Sequence, residues 1–469
     1  MPKHQTGPVR LIAMINRFLF LLLLLVVGVQ ARTFHVDAAR GDDALDGVKP
    51  ETAWRSLARV NRASLAPGDR VLFQRGQTWR GQLVPQSGDA SGVLTYGAFG
   101  AGNKPVLLGS VAADRTEDWQ PAGEGIWVSS NQAVPLSVDV GNILFDHGKT
   151  IGVKKWTEAD LRHDGDYFYD ARSWQVKLRS DTNPAARFRS IELALRKHII
   201  DQTGRGYVTY ENLDLRYGAA HGIGGSSTHH ITVRGCDISY IGGGHQMTPP
   251  GGKPVRYGNG IEFWSDARDC LVEDCRIWEI YDAALTNQGD GTNVQENITY
   301  RRNVIWNSEY SFEYWNRGPT SQTRNIVFEH NTCVDAGHGW GHLQRPDPNG
   351  CHLMFYDNRA ATTNVVIRYN IFDNASDSLL RLHGRDWTAA LLMDYNCWFQ
   401  PRGPLLLWGQ QNVDARDFAA FMHPRGLDLH SLTSDPKFVD RARHDYRLTP
   451  DSPARVLAGQ GKPAGSLSD

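Results

Sequence analysis

Between residues 207 and 408 one short pattern of apolar and polar positions recurs. It reads Val233-Arg-Gly-Cys-Asp-Ile238, Val272-Glu-Asp-Cys-Arg-Ile277, Tyr300-Arg-Arg-Asn-Val-Ile305, Phe328-Glu-His-Asn-Thr-Cys333, Ile367-Arg-Tyr-Asn-Ile-Phe372 and Met393-Asp-Tyr-Asn-Cys-Trp398, after a weaker copy at Tyr210-Glu-Asn-Leu-Asp-Leu215. The fourth position falls at Leu213, Cys236, Cys275, Asn303, Asn331, Asn370 and Asn396, at spacings of 23, 39, 28, 28, 39 and 26 residues. A repeat of this length is one supersecondary unit that buries its core only against its neighbours. The units hold short β-branched and apolar runs broken by Asn, Gly and Asp, with no helical period between them, so they predict strands and turns. A coil of parallel strands fits this pattern and a doubly wound α/β sheet does not. Stacked coils lie about 4.8 Å apart. Asn303, Asn331, Asn370 and Asn396 are therefore expected to form a ladder at one turn, continued by Cys236 and Cys275.

A second strand follows that turn in each unit. Its copies include His221-Gly-Ile-Gly-Gly-Ser226, Gly260-Ile-Glu-Phe-Trp264, Ala284-Leu-Thr-Asn-Gln288, Ser311-Phe-Glu-Tyr-Trp315, His352-Leu-Met-Phe-Tyr356 and Leu379-Leu-Arg-Leu-His383. Alternation sends Ile261 and Phe263, Phe312 and Tyr314, Leu353 and Phe355, and Leu380 and Leu382 inward. It leaves Glu262 and Trp264, Thr286 and Gln288, Glu313 and Trp315, Met354 and Tyr356, and Arg381 and His383 outward. An ordinary solvated strand face carries scattered Lys, Thr and Ser. Carboxylates beside large aromatics suit a sugar-binding cleft, because flat rings match the apolar face of a pyranose. Both long spacings exceed the common 28 at this same turn, through residues 241–258 and 335–350. Those insertions are expected to rise from one side, which in repeat proteins is often the binding face.

On these motifs the chain resembles right-handed parallel β-helix carbohydrate-active enzymes, the secreted polysaccharide hydrolases and lyases. The resemblance implies an all-β, pectate-lyase-like solenoid. It extends to residues 32–110, through Val36-Asp37, Gly41-Asp-Asp43, Asp46-Gly47, Trp54, Pro67-Gly-Asp69, Gly76 and Trp79-Arg-Gly81, which resemble the N-terminal cap and first coils of such enzymes. An amphipathic stretch there, with Leu57, Val60 and Leu65, predicts a capping helix, since an open solenoid end exposes core and strand edge. In residues 111–195 the repeat is lost, and the short strands predict an inserted antiparallel β subdomain. Such insertions occur in several β-helix glycosidase families, which inclines the reading towards hydrolysis by analogy. Residues 196–469 carry the helix and its closing segment, where Asp435-Pro-Lys-Phe-Val-Asp440 and Pro450-Asp-Ser-Pro-Ala454 resemble the usual C-terminal closure.

Residues 1–31 read as a signal peptide. Lys3, Arg10 and Arg17 precede an apolar run over residues 18–29, too short to span a bilayer comfortably, and Val29-Gln-Ala31 fits a signal-peptidase site. The expected chain is periplasmic or secreted, without stable membrane insertion after cleavage, and monomeric. The formal net charge of −1 argues against a nucleic-acid partner bound over the whole surface. Export permits disulfides. Cys333 and Cys351 flank the second insertion and are a candidate pair; the six cysteines show neither a CxxC pair nor zinc spacing.

Glycoside hydrolysis needs two carboxyl groups about the scissile bond. Glu262 and Glu313 point the same way two coils apart and are the expected catalytic pair, with Trp264, Thr286, Gln288, Trp315, Tyr356, Arg345, Asp357 and Arg385 expected to bind substrate. Asp282, Asp290 and Asp357 also sit near strand ends, where Asp commonly forms turns, and Glu309 is a candidate rim acid. β-Elimination on a uronic-acid polymer needs instead a base and a group that neutralises the carboxylate. His338, His342, Arg381 and His383 are its candidates, with Arg345, His352 and Arg385 nearby and His245 in the first insertion. A polymer epimerase shares the first proton abstraction, and a non-catalytic carbohydrate-binding β-helix is a further alternative. No dense Asp/Glu cage is present in the sequence, so no cofactor is expected, with calcium left open.

Overall fold

The computed structural model describes residues 31–384, 386–458 and 462–466. The signal-peptide reading of residues 1–31 falls almost wholly outside these, as does Arg385. Among the described residues no helix is long and apolar enough to cross a membrane.

Three long parallel sheets form a right-handed β-helix. One has ten strands from Thr33–Val36 to Leu391–Asp394, and two have nine, from Thr78–Arg80 to Cys397–Phe399 and from Ile200–Asp201 to Gln411–Val413. The chain visits them in turn. Arg268–Glu273, Arg276–Ile280 and Ala283–Gly289 make one coil, and Val294–Arg301 opens the next directly above the first. Only the final pair of the third sheet, Leu406–Trp408 with Gln411–Val413, runs antiparallel. The alternation anticipated from sequence is present: Ile261, Phe263, Phe312, Leu353 and Leu380 all join one continuous core.

The asparagine column closes one turn of four successive coils. Asn303 Nδ2 donates to Asn331 Oδ1 at 3.0 Å, Asn331 to Asn370 at 3.1 Å and Asn370 to Asn396 at 3.0 Å. Each Oδ1 also accepts the backbone N–H of the preceding member, beginning with Cys275 N to Asn303 at 3.0 Å. The residue before each member is left-handed: Asp274, Arg302, His330, Tyr369 and Tyr395 all have φ between 53 and 59°. Such a backbone costs about 1–2 kcal/mol for a residue bearing Cβ. The fully buried amides offset it by pairing main-chain groups that the sharp corner would otherwise strand. The column ends on Asp428, whose Oδ1 accepts from Asn396, Ser431 and Trp398.

All six cysteines are free and buried, which corrects the expected Cys333–Cys351 bridge. Cys333 faces the main core, whereas Cys351 lies in a separate cluster with Ala283, Tyr310 and Met354. Their side chains thus leave opposite faces of the coil wall, where no S–S bond can join them.

Helix Leu57–Asn61 places Leu57 and Val60 in the main core. Residues 110–195 build two further sheets, of four and five strands. Most of their pairings are antiparallel, and Trp119, Ile143, Tyr167 and Val176 give them a core of their own. The first long insertion is a hairpin, Gly244–Met247 with Val255–Tyr257. The second carries a short 3-10 helix, His342–Gln344. Gln344 fastens these parts together. Its Oε1 accepts from Arg256 Nη1 at 2.9 Å and Lys154 N at 3.4 Å, and its Nε2 donates to Gly152 O at 3.1 Å.

Candidate active site

The third sheet sets the floor of the site. Parallel register aligns Glu262 with Thr286 and then Glu313, and Trp264 with Gln288 and then Trp315. Two coil steps separate the glutamate backbones, about 9–10 Å. The hairpin of the first insertion and the end of the second rise beside this strip. Together they enclose a cleft of ≈ 920 Å³, lined by both glutamates and both tryptophans, and by Gln288, Tyr356, Arg345, Asp282, His198 and His221.

The two glutamates have different surroundings. Glu262 faces a donor: its Oε2 lies 3.0 Å from His221 Nε2, and Asn259 Nδ2 is 3.5 Å from its Oε1. Glu313 is as buried as Glu262, 4% exposed against 5%, and has other donors. Gln288 Nε2 donates to its Oε2 at 2.5 Å and Thr286 Oγ1 at 3.4 Å. Burial, and next the nearby Asp282 carboxylate, hold the Glu313 carboxyl well above the usual range; the Gln288 bond and Arg345 oppose them without prevailing. A carboxyl raised in this way holds its proton to higher pH than a free glutamate, as a general acid requires.

Asp282, at the start of the intervening strand, adds a third acid to the cleft. Burial raises it, opposed first by Arg345. Arg345 Nη1 lies 3.2 Å from Asp282 Oδ1 and donates to Tyr281 O at 2.8 Å. Its guanidinium sits between the rings of Tyr281 and Tyr310, at 5.1 and 5.5 Å from their centroids. Glu309 is buried behind this arginine, bonded to His342 Nδ1 at 3.0 Å and to Asn349 N at 2.9 Å. It is an internal anchor of the second insertion rather than a rim acid.

The histidine–arginine group does not assemble in the cleft. His338 contacts Asn374 at 3.3 Å, and His342 is taken up by Glu309. His352 is fully buried, its Nδ1 2.9 Å from Ser311 Oγ and its ring against Phe372, and burial pushes it down to about 3. Arg381 pairs with Asp377 at 2.7 Å. His383 stacks on Tyr356 at 5.8 Å, and His245 packs against Trp156. Asp357 is exposed beside Gly384; it follows the lining residue Tyr356 but does not itself line the cleft. Among the described members of this group only Arg345 shares the cleft with the glutamates.

His198 and His221 are among the lining residues that pattern reading passed over. A signal existed: Ile200 pairs with Ile223, so the two histidines, 23 residues apart, hold equivalent places in successive coils.

No family model matches the chain. It is 35% identical over 82 residues to lacto-N-biosidase of Bifidobacterium longum subsp. longum, 16% of this chain and 5% of that protein. It is 30% identical over 146 residues to uncharacterized protein YwoF of Bacillus subtilis, 30% of this chain and 27% of that protein. The chain thus spans about a twentieth and about a quarter of the lengths of these relatives. Among solved structures, a glycoside hydrolase aligns with a TM-score of 0.46 at 10% identity, over 81% of this chain and 96% of that one. Pectate lyase Pel9A aligns with a TM-score of 0.44 at 12% identity, over 93% and 96%.

Proposed function

We propose that the chain is an exported enzyme that hydrolyses glycosidic bonds of a polysaccharide lying along this cleft. Glu313 acts as general acid on the leaving oxygen, and Glu262 as the base that activates water. Two buried glutamates in register on one strip, two coils apart and with unlike surroundings, support this reading. Burial that raises the Glu313 carboxyl suits it to the acid role. Side chains that lean together across about 9–10 Å of backbone reach the ~6.5–9.5 Å separation that admits a water, which favours inversion. Trp264 and Trp315 offer ring surface to the sugar, and Thr286 and Gln288 hold Glu313 in place.

Incubation with a panel of neutral and uronic-acid polysaccharides tests it, followed by reducing ends and by the ultraviolet absorbance of unsaturated uronates. New reducing ends without that absorbance are expected, and Glu313→Gln should lose them. Both signals rising together would mean elimination, for which Arg345 is one of the cations already in the cleft.

A further inference from the structure

Glu262 has one close donor, and it comes from the preceding coil. His221 Nε2 stands 3.0 Å from Oε2. The state of this histidine is fixed from behind. A backbone amide can only donate, and Asn259 N–H points at His221 Nδ1 over 2.9 Å in a buried position. Nδ1 therefore presents its lone pair, and the ring proton sits on Nε2, the nitrogen 3.0 Å from the carboxylate. His198 closes the other side. Its ring stacks on His221 at 4.8 Å and 19°, and its Nδ1 accepts the His221 backbone N–H at 3.3 Å. Burial, then the neighbouring His221, push His198 down to about 4, so this plate carries no charge at neutral pH. Gly224 admits both rings: a Cβ there would come within 2.9 Å of His221 Cδ2 and 3.1 Å of His198 Nδ1. Tyr257 stands edge-on to His221 at 5.2 Å, and Asp282, Glu313 and Arg345 face Glu262 across the cleft.

Resting on the assignment of Glu262 as the base, the geometry points to His221 as its positioning residue, clamped between Asn259 and His198. The Nε2–H engages one carboxylate oxygen and leaves Oε1 to take the proton of the attacking water. His221 relays no proton further, because its Nδ1 is already occupied by a main-chain N–H.

Two substitutions separate this from a structural role. His221→Gln keeps a nitrogen donor at the Nε2 position and gives up the Nδ1 acceptor. His221→Asn keeps an acceptor for Asn259 and gives up the donor to Glu262. On the polysaccharide cleaved in the panel, H221N is expected to lower kcat about 10–100-fold with KM within about twofold, and H221Q to stay within about threefold of the parent. The reverse order, with H221N near the parent and H221Q impaired, overturns the inference. A reading without substrate uses a water-soluble carbodiimide, with labelling of Glu262 followed by peptide mass spectrometry across about pH 4–8. The pH of half-labelling should rise by about one unit in H221N alone; superimposed curves for the parent and H221N overturn the inference. Glu262→Gln keeps the two levels apart. Full activity in E262Q removes the base assignment itself, whereas an inactive E262Q beside an unaltered H221N removes only the role of His221.

Discussion

Trp264 and Trp315 belong to strands two coils apart, yet their rings stack with centroids 5.6 Å apart and planes 28° from parallel. The register position between them holds Gln288, whose amide turns away to Glu313, so the indoles meet above it. They make one continuous aromatic surface beside the proposed acid, with the Arg317 guanidinium 5.1 Å from the Trp315 ring. Trp315→Ala should raise KM about 5–10-fold and change kcat less, a loss of about 1–1.5 kcal/mol of stacking. Initial rates across substrate concentration check this.

Glu313 should also leave a mark on stability. A carboxyl raised on folding binds its proton more tightly in the native state. Its contribution is complete below the unfolded value, near 4.5, and is lost as pH rises through the folded one. Glu313→Gln removes that penalty. The melting temperature of E313Q relative to the parent should therefore be higher at pH 8 than at pH 5, while kcat falls by about 10²–10⁴.

Asp428 makes the same argument away from the cleft. Burial raises it to about 6 from 3.8, against its bonds to Ser431, Asn396 and Trp398. Stability from this group is full below about 4 and declines as pH rises through about 6. Asp428→Asn keeps an oxygen acceptor and cannot ionise. It should match the parent at low pH and exceed it by roughly 3 kcal/mol above neutrality, measured by urea unfolding at both ends of the range.

The buried asparagine column and an exposed one elsewhere on the helix should respond differently. Asn331→Ala strands the Asn303 main-chain and side-chain donors and Tyr300 O, and should cost about 3–5 kcal/mol. Asn325 belongs to the outer column of Asn297, Asn325 and Asn364 and is left-handed, with φ 56°. Glycine tolerates that backbone, so Asn325→Gly should stay within about 0.5–1 kcal/mol. Denaturant midpoints for the two variants decide it.

Gln344→Ala should loosen the cleft wall without unfolding the helix. It removes the bonds that tie the second insertion to Arg256, Lys154 and Gly152. Amide exchange should quicken about tenfold or more in Val255–Tyr257 and His342–Gln344, and stay unchanged in Val294–Arg301.

The coil and the glutamate strip were legible because a two-residue side-chain period and a recurring phrase leave little freedom: the strand that follows Cys275 and the strand that follows Asn303 bring Thr286 beside Glu313. Residues off that lattice were not. His342 and Arg345 lie in an insertion whose 3-10 turn delivers one to Glu309 and the other to Asp282. His352 sits in strand Cys351–Phe355 beside inward-facing Leu353, where alternation fails, and its ring packs on Phe372. His221 precedes a strand of only two residues, Ile223–Gly224, set among glycines, so its direction depends on Asn259 and His198 and not on any pattern in its own segment.

The asparagine column has a sense. Every amide from Asn303 to Asn396 donates towards the C-terminal end, and the last meets the oxygen of Asp428. Each new coil presents the same donor that it received, so an additional copy fits between any two existing members without altering its neighbours. The series can lengthen by duplication, and it can finish only on an acceptor. A lysine or arginine in the place of Asp428 would set donor against donor and leave the final coil without its stop.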